Sequence, residues 1–508
     1  MTETDGRLWV ERPETPLTDP EGRAVTVVHL AAEYVPFART GGLAEAANGL
    51  ARFSTFAGAT SAVIIPLHRS AREMAGDLEE VGDQFEVRFG PHLHSARLFR
   101  MRKPHERAHV FFIGHDGFFD RKGIYGEGGV DYQDNPERWA FFCLAALAAL
   151  PRITDGPLVL HAHDWHSALA TTYLRTRYAG DPWYERVRTV LSVHNAGYQG
   201  HLPATSVADL GLPSELFTWR HLEWFGKLNL LKAGLVFTDA AVTVSPNHAR
   251  ELRTAAGGFG LQEVFAWMGP RFSGIINGID QKGWDPRTDP GIAANFNARG
   301  LGPKTACKTA IQERFGLEPR SDLPLFGMAA RLVTQKGLEI ILGRPHLLDL
   351  NAQFVFIGSG EPRFEHALRG WAARAPRRIA VDTDFTDALE HQLMAGADLL
   401  LMPCQYEPCG LTQMRAQRYG ALPLVRRVGG LADTVDQGIT GLIFDAFQAE
   451  PLVGAALRGL DLFARPGEWQ RMMRAAMARD FSWEQSVAKY LQVYRSVIDG
   501  TFRAPVAA

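Results

Sequence analysis

Short apolar runs rich in β-branched residues recur along this chain and alternate with segments of amphipathic helical pattern. In the first half the runs are AVTVVHLAAE, ATSAVIIPLH, AHVFFIGH, GPLVLHAHD, RTVLSVHN and AAVTVSP. Strands that are buried on both faces have nearly continuous apolar sequences of this kind. Strand, glycine turn and helix, repeated in that order, predict a parallel sheet covered by helices on both faces. We therefore expect a doubly wound α/β fold.

A second series of such runs begins near residue 273 with SGIINGID and continues with LPLFGMAARL, AQFVFIGSG, RRIAVDTD, LLLMPC, ALPLVRRVG and GLIFDAF. Single cores stop growing at roughly 250 to 300 residues, so a chain of 508 residues favours two domains. We predict a flexible tail over 1–23, a first Rossmann-like domain over 24–272, a second over 273–480, and a C-terminal helical segment over 481–508.

The composition argues against several classes of partner. A formal net charge of −2 and a pI near 6.8 offer no bulk attraction to nucleic acid or to anionic lipid. The apolar runs are shorter than the roughly 18 residues that a membrane-spanning helix needs. The 4 cysteines lack a CxxC spacing, and the first residues lack the basic and apolar blocks of a signal peptide. We expect a reduced, cytoplasmic protein without nucleic-acid or membrane partners.

In open α/β sheets, ligands bind beyond the carboxyl ends of the strands, so the loops there carry the candidate site. The loop RTGGL joins a strand to a helix through Gly41 and Gly42, whose backbone N–H groups can approach an anion. Arg39 adds a guanidinium suited to phosphate. The alternative interpretation is that the two glycines only permit a tight turn.

Three loops of the second series carry charge or paired glycines. Arg331 and Lys336 in AARLVTQKG flank a strand end, where both could reach one diphosphate, although an ordinary solvated basic pair has the same pattern. Glu407 in YEPCGLTQ follows a strand in a turn, where its carboxylate could accept hydrogen bonds from sugar hydroxyls or could cap a helix. Gly429 and Gly430 in RRVGGLADTV would let the backbone approach a ligand.

The stretch HAHDWH contains three histidines and an aspartate, which suggests a metal site. His161 and His163 alternate onto the same side of a strand, and imidazole is a common metal ligand. However, no second group at metal-ligand spacing is evident in the sequence, and Arg331 with Lys336 supplies the positive charge that a diphosphate requires. We interpret these histidines as packing and orienting groups, Asp164 as the residue that faces the ligand, and we predict no metal.

Taken in order, these motifs resemble those of the bacterial glycogen synthases and plant starch synthases over about residues 25 to 495. The resemblance is carried by RTGGLAE, YQDNPERWAFF, HAHDWHSALA, SVHNAGYQG, INGID, ARLVTQKGL, IGSGEP, EPCGLTQ and YGALPLVRRVGGLADTV. It implies a GT-B fold, in which two Rossmann-like domains face each other across a deep cleft. It also implies transfer of glucose from the nucleotide sugar ADP-glucose to the non-reducing end of an α-1,4-glucan, with retained configuration and without a cofactor.

The resemblance further implies a set of site residues. The implied catalytic residues are Asp164, His194, Glu407, Arg331 and Lys336, with the two cations on the ADP phosphates and Glu407 on the transferred glucose. The implied substrate-binding residues are Arg39, Thr40, Gly41, Gly42, Asn195, Asn277, Cys409, Gly410, Leu411 and Thr412. For transfer with retained configuration, these roles suit a front-side substitution, in which the leaving phosphate oxygen takes the acceptor proton. It therefore needs no enzymatic nucleophile, unlike the paired carboxylates of retaining hydrolases.

Two positions depart from the pattern of the family, and a third differs only from related enzymes outside the synthase branch. The family usually has lysine where this chain has Arg39 and aspartate where it has Glu45, and Arg415 stands where many related retaining transferases carry a second acidic residue. Arginine and lysine are not interchangeable at a close phosphate contact. Two alternatives therefore remain: a related enzyme that uses UDP-glucose or a non-glucan acceptor, and a catalytically silent paralogue that binds glucan.

Overall fold

The computed structural model describes residues 17–102, 105 and 108–502, which form two compact units. The first unit runs to Val244 and also contains Ala249–Ile275 and the chain from Trp483 onward. The second consists of Ser245–His248 and Ile276–Ser482. No helix among the described residues is both long and apolar enough to cross a membrane.

The first unit is built on a ten-stranded sheet whose seven consecutive strands from Phe272–Gly274 to His109–Gly114 are parallel. Its central strands are buried throughout, as their apolar runs predict. In spatial order the strands are Phe272–Gly274, Ala240–Thr243, Val187–Val193, Leu158–His163, Thr26–Leu30, Thr60–Pro66, His109–Gly114, His92–Met101 and Leu78–Glu80, with Phe85–Phe89 paired to His92–Met101.

Helices cover this sheet, and smaller strands form two accessory pairings. The α-helices are Gly42–Phe56, Arg69–Ala75, Asp116–Phe119, Asn135–Ile153, Asp164–Thr176, Ser206–Asp209, Leu230–Phe237, Gln262–Trp267 and Trp483–Ile498, while Pro246–Leu252 contains residues of both units. The 3-10 turns are Tyr184–Arg186, Ser214–Leu216 and Gly269–Arg271. The accessory strands are His201–Pro203, Lys227–Asn229 and Glu223–Trp224 in one sheet, and Gly126–Glu127 with Val130–Asp131 in the other.

The C-terminal helix Trp483–Ile498 belongs to the first unit and packs on the helix Gly42–Phe56. Contact between the two helices is close at Gly49, where a Cβ would lie 2.1 Å from the Trp483 ring. Trp483 and Tyr494 are buried there together with aliphatic residues of the sheet. The apolar face of the last helix is therefore part of the core of the first unit.

The second unit contains a six-stranded sheet whose strands are all parallel. In spatial order they are Ile379–Asp382, Gln353–Ile357, Leu325–Ala329, Leu399–Met402, Leu422–Arg426 and Leu442–Phe444. The α-helices are Lys304–Arg314, Leu338–Ile341, Pro362–Arg374, Asp387–Gly396, Thr412–Arg418, Gly429–Thr434, Ala449–Phe463 and Pro466–Met477, and the 3-10 turns are Thr334–Lys336 and Leu347–Asp349.

Two segments differ from the sequence-based expectation. The run that begins at residue 273 starts as an edge strand of the first sheet, because Phe272–Gly274 pairs with Ala240–Thr243 and the Ile275 N–H donates to the Thr243 carbonyl. Of the predicted tail, residues 1–16 lie outside the described residues. By contrast, Leu17 is buried and pairs its backbone with Gly58 and Val25, because its apolar side chain reaches the core.

The order of the parallel strands reverses once in each sheet. In the first unit the reversal lies between Thr26–Leu30 and Leu158–His163, and in the second between Leu325–Ala329 and Leu399–Met402. Ligands of doubly wound folds bind at such switch points. The loops that follow these four strands are therefore where the predicted site residues should be sought.

Candidate active site

The glycine turn of the first unit is held by Glu33, a buried carboxylate that follows the strand Thr26–Leu30. Glu33 accepts hydrogen bonds from the Thr40 N–H at 2.6 Å, the Thr40 hydroxyl at 2.8 Å and the Gly41 N–H at 3.2 Å. The Tyr125 hydroxyl also donates to it, at 2.5 Å. Because the carboxylate takes up these donors, it fixes the path of the loop.

The two glycines of this turn border open space. A Cβ added at Gly41 or Gly42 would meet no described atom within 4 Å. Gly41 has an extended backbone, with φ −160°, that any residue can adopt, so neither packing nor backbone strain demands glycine there. The absent side chains leave room beside the loop, which favours the ligand-approach interpretation over a purely structural turn.

Arg39 and Glu45, the two departures from the family pattern, contact each other. The Arg39 guanidinium lies 2.9 Å from the Glu45 carboxylate, and the two side chains are 38% and 26% exposed. The two substitutions therefore fall on the two partners of one partly exposed ion pair.

Asp164 joins two loops at the first switch point. It follows the strand Leu158–His163 and has a left-handed backbone with φ 58°, a conformation that is uncommon for residues other than glycine. Its carboxylate accepts the N–H groups of His194 at 2.7 Å and Asn195 at 3.4 Å. Burial nevertheless raises the pKa of Asp164 to about 7. The structure thus places Asp164, His194 and Asn195 together.

Three buried histidines lie close to one another beneath Asp164. The ring nitrogens of His29, His161 and His163 that could bind a metal lie within 4.8 Å of one another. His161, however, uses both nitrogens in hydrogen bonds, with Tyr494 Oη at 2.8 Å and Ser192 Oγ at 2.7 Å. A metal ion would have to replace these bonds, so the structure favours an orienting role for the histidines.

Lys336 and Glu407 form a largely buried ion pair in the second unit. The Lys336 Nζ lies 2.5 Å from Glu407 Oε2, and the Cys404 thiol lies 3.7 Å from the same oxygen. The Glu407 carboxylate raises the pKa of Lys336 despite the opposing effect of burial. Among the described residues, no helix N–H donates to the Glu407 carboxylate, so the side chain does not cap a helix. Arg331 is exposed, whereas Lys336 is half-buried.

The glycines of RRVGGLADTV approach the turn that carries Glu407. The Gly430 N–H donates to the carbonyls of Glu407 and Pro408, both at 3.1 Å. A Cβ would lie 2.1 Å from the Cys409 carbonyl oxygen at Gly430 and 1.8 Å from the Glu407 carbonyl oxygen at Gly429. Protein backbone thus fills the space that a side chain would need, which accounts for both glycines, and the approach of a ligand to them stays a prediction.

The remaining predicted residues of the second unit continue this turn. The Cys409 thiol is buried, and this burial raises its pKa to about 12 although the backbone of Asn277 lowers it. Gly410 has φ 72°, and Leu411 directly precedes the helix Thr412–Arg418. The turn is therefore rigidly attached to the strand before it and the helix after it.

Arg415 lies in the helix that follows this turn. Its guanidinium pairs with the buried Glu390 at 3.1 Å and lies over the Trp284 ring at 4.3 Å. A cation at this position is therefore neutralised within the second unit.

The predicted site residues are divided between the two units. The first unit holds Arg39, Thr40, Gly41, Gly42, Asp164, His194 and Asn195, and the second holds Asn277, Arg331, Lys336, Glu407, Cys409, Gly410, Leu411 and Thr412. Glu33, Tyr125 and His29 were not among the predicted site residues. Glu33 stands at a predicted strand end, which is a usable signal, whereas Tyr125 lies 92 residues from its partner and carries none.

Two doubly wound sheets in one chain, each with polar loops at its switch point, are the architecture of the GT-B glycosyltransferases. Residues 26–267 match the family model of the starch synthase catalytic domain, and residues 310–462 match that of the glycosyl transferases group 1. The chain is 41% identical to a glycogen synthase of Anaeromyxobacter dehalogenans (strain 2CP-C), over 93% of this chain and 99% of that one. It therefore belongs to the glycogen and starch synthase family.

Further similarities agree with this assignment. A glycogen synthase of Syntrophotalea carbinolica is 38% identical over 94% of this chain and 99% of its own. The catalytic domain of starch synthase IV from Arabidopsis thaliana, solved with ADP and acarbose bound, has a TM-score of 0.83 and 31% identity, over 93% of this chain and 99% of that chain. A sucrose-phosphate synthase from Thermosynechococcus elongatus shares only the fold, with a TM-score of 0.60 and 16% identity over 94% and 100% of the two chains. The predicted fold class, family and type of enzyme are confirmed.

Proposed function

We propose that this protein transfers glucose from ADP-glucose to the non-reducing end of an α-1,4-glucan, with retention of configuration. The observation that carries the proposal is the similarity to glycogen synthases over nearly the whole of both chains. The ADP and acarbose in the Arabidopsis relative support a nucleotide donor and a glucan acceptor. We assign the donor to the second unit and the glucan mainly to the first.

In the second unit, Arg331 and Lys336 would bind the diphosphate. Negative charge develops on the leaving ADP as the bond to glucose breaks, and fixed cations stabilise it. The Glu407 carboxylate raises the pKa of Lys336 and therefore keeps its ammonium group protonated. The same carboxylate would contact the transferred glucose and stabilise positive charge at its anomeric carbon. The backbone from Cys409 to Thr412 and Asn277 would complete the donor site.

In the first unit, Asp164 and His194 would line the glucosyl pocket. Both lie at the switch point, and the Asp164 carboxylate holds the His194 backbone. The main-chain carbonyl of His194 would lie near the anomeric carbon, and Asn195 would bind a sugar hydroxyl. The open space beside Gly41 and Gly42 would admit the donor diphosphate. The leaving phosphate oxygen would take the acceptor proton directly.

We also propose that the reaction takes place in the cytoplasm and needs no metal. All four cysteines, each within the described residues, are free and buried, which suits a reducing compartment. The positive charge that a metal would provide to a diphosphate is available from Arg331 and Lys336.

A donor competition assay tests the proposal. The purified chain is incubated with ADP-glucose or UDP-glucose and a maltooligosaccharide, and glucan extension and released nucleotide are measured with and without EDTA. We expect α-linked extension from ADP-glucose that EDTA does not abolish. Incorporation only from UDP-glucose, or none into glucan, would refute the proposed donor or acceptor. Full inhibition by EDTA would refute metal independence.

A further inference from the structure

Three imidazoles of the first unit form a continuous hydrogen-bonded line. His29 is on the strand Thr26–Leu30, His163 ends the strand Leu158–His163, and His194 directly follows a third strand. The Nδ1 of His29 lies 3.2 Å from Nε2 of His163, and the Nδ1 of His163 lies 3.0 Å from Nε2 of His194. The line thus runs from the buried sheet to the proposed glucosyl pocket.

The ring geometry shows that these contacts are true in-plane hydrogen bonds. The ring centroids of His29 and His163 are 5.5 Å apart at 30°, and those of His163 and His194 are 5.3 Å apart at 26°. Each centroid separation exceeds its N···N distance by about two ring radii, so the bonds lie near the ring planes, where N–H groups and lone pairs point. His161 instead stacks on the face of His163, at 4.4 Å and 21°.

All three rings are neutral at physiological pH. Burial lowers the pKa of His29 to about 3 and that of His194 to about 4, and it lowers the pKa of His163 well below its ordinary value. Each ring therefore carries one N–H and one lone pair. Since a hydrogen bond needs one of each, the N–H groups must all point the same way along the line. The tautomers of the three rings are thus coupled.

The buried end of the line, at His29, determines in which direction the N–H groups point. The Nε2 of His29 is buried and has no hydrogen-bond partner among the described residues. An unpaired buried N–H is rarer in native proteins than an acceptor with an unused lone pair, so Nε2 should carry the lone pair. His29 then donates from Nδ1 to His163, which donates from its own Nδ1 to His194.

We propose that His29 and His163 lock His194 as the Nδ1–H tautomer, so that His194 presents a hydrogen-bond donor to its ligand. No partner for His194 Nδ1 is found in the described part of the chain, which leaves this atom available. The identity of the ligand, a hydroxyl or phosphate oxygen of the sugar donor, rests on the proposed function. His29 and His163 are positioning residues, and the closed inner end makes the line a lock, not a path for protons.

Nitrogen-15 NMR of the full chain, labelled in its histidines and without substrate, tests the lock. Two other histidines calibrate the spectrum: His68 faces the Ala32 carbonyl through Nε2 at 3.0 Å, and His366 faces the Pro362 carbonyl through Nδ1 at 2.7 Å. We expect His194 to give the Nδ1–H pattern of His366. If His194 gives the Nε2–H pattern of His68, the proposal is overturned.

Two matched variants distinguish an effect on the His194 tautomer from a general effect of changed packing. His163→Phe removes the donor to His194 while keeping a ring, so His194 should shift towards the Nε2–H tautomer and kcat should fall by about tenfold. His161→Phe changes an equally buried ring that lies outside the line, so the His194 tautomer should stay unchanged. Equal tautomer shifts in both variants would overturn the proposal. If His163→Phe does not fold, the spectrum of the unsubstituted protein still decides.

The tautomer is read without turnover, so its result does not depend on the glucan assay. If the protein extends no glucan but His194 shows the Nδ1–H pattern, the tautomer proposal is supported and the proposed function is refuted. If the protein extends glucan but His194 shows the Nε2–H pattern, the proposed function is supported and the tautomer proposal is refuted.

Discussion

The pKa values of buried polar groups are set by different effects at the switch points of the two sheets. In the first unit, burial dominates: His163 and His194 are held neutral, and the pKa of Asp164 rises to about 7. In the second unit, pairing dominates, because the Glu407 carboxylate outweighs burial and raises the pKa of Lys336. Desolvation disfavours a charged form unless an opposite charge is close, and Glu407 is such a partner for Lys336 at the second switch point.

This difference matches the two parts of the proposed substrate. Neutral imidazoles and a carboxyl group with a raised pKa suit the recognition of sugar hydroxyls, which carry no charge. A fixed ammonium with a buried counter-ion suits a diphosphate, whose charge grows as the glucosyl bond breaks. The pair also makes the second site sensitive, since removal of one partner leaves an uncompensated buried charge.

The largest expected effect is that of Glu407→Ala. We expect kcat to fall by about 10²-fold to 10³-fold while the fold persists, because the variant removes the carboxylate that would face glucose and also leaves Lys336 unpaired. Steady-state kinetics and circular dichroism measure the two outcomes. Glu339→Ala is the control, since Glu339 is exposed and pairs only loosely with Arg363 at 3.4 Å. Near-normal turnover in Glu407→Ala would refute the proposed role.

Gly430→Ala should disturb the same switch point through the backbone. Its Cβ would lie 2.1 Å from the Cys409 carbonyl oxygen, so the turn that carries Glu407 must move. We expect a loss of about 2 to 3 kcal/mol in stability and a clear fall in kcat. Gly370→Ala, in the helix Pro362–Arg374 and with no described atom within 4 Å of its Cβ, should instead be neutral or stabilising. Equal behaviour of the two variants would show that the turn can adjust.

The sequence predicts best what depends on local pattern. The parallel strands are continuous apolar runs, and the site residues follow those strands, so the positions of Asp164 and Glu407 at strand ends could be predicted. The antiparallel strands over 78–101 were missed. They carry solvent-exposed residues and vary in burial along their length, which gives a weaker signal than a buried run.

Pairings between distant segments could not be predicted. Lys336 and Arg331 share a loop and were expected to act as one basic pair, yet Lys336 bonds Glu407, 71 residues further along the chain. Glu33 likewise meets Tyr125 across 92 residues. Charge alone does not reveal such partners, because the partner is chosen by the three-dimensional order of the strands.

The neutral character of the first unit can be tested at Asp164. Its folded pKa of about 7 lies above its ordinary value of 3.8, so the stability it contributes is complete below pH 3.8 and is lost as the pH rises through 7. Asn stays neutral and tolerates the left-handed backbone. Asp164→Asn should therefore stabilise the protein by about 2 kcal/mol more at pH 8 than at pH 5 in denaturant unfolding.

The control for this measurement is Asp131→Asn, at an exposed position of the same unit. It should change stability by the same small amount at both pH values. If Asp164→Asn behaves like Asp131→Asn, the carboxyl group of Asp164 is ionised in the folded protein at neutral pH. The contrast between the two switch points would then fail.

The smallest effect is expected at Arg39, the cation among the predicted residues of the first unit. Arg39 and Glu45 are partly exposed, so a double-mutant cycle of Arg39→Lys and Glu45→Asp should give a coupling below about 1 kcal/mol that weakens with salt. Each single change should alter the KM for the donor by only a few fold. A change of about a hundredfold in Arg39→Lys, without coupling to Glu45, would mean that Arg39 binds the donor diphosphate directly. The first unit would then contribute charge as well as hydroxyl recognition.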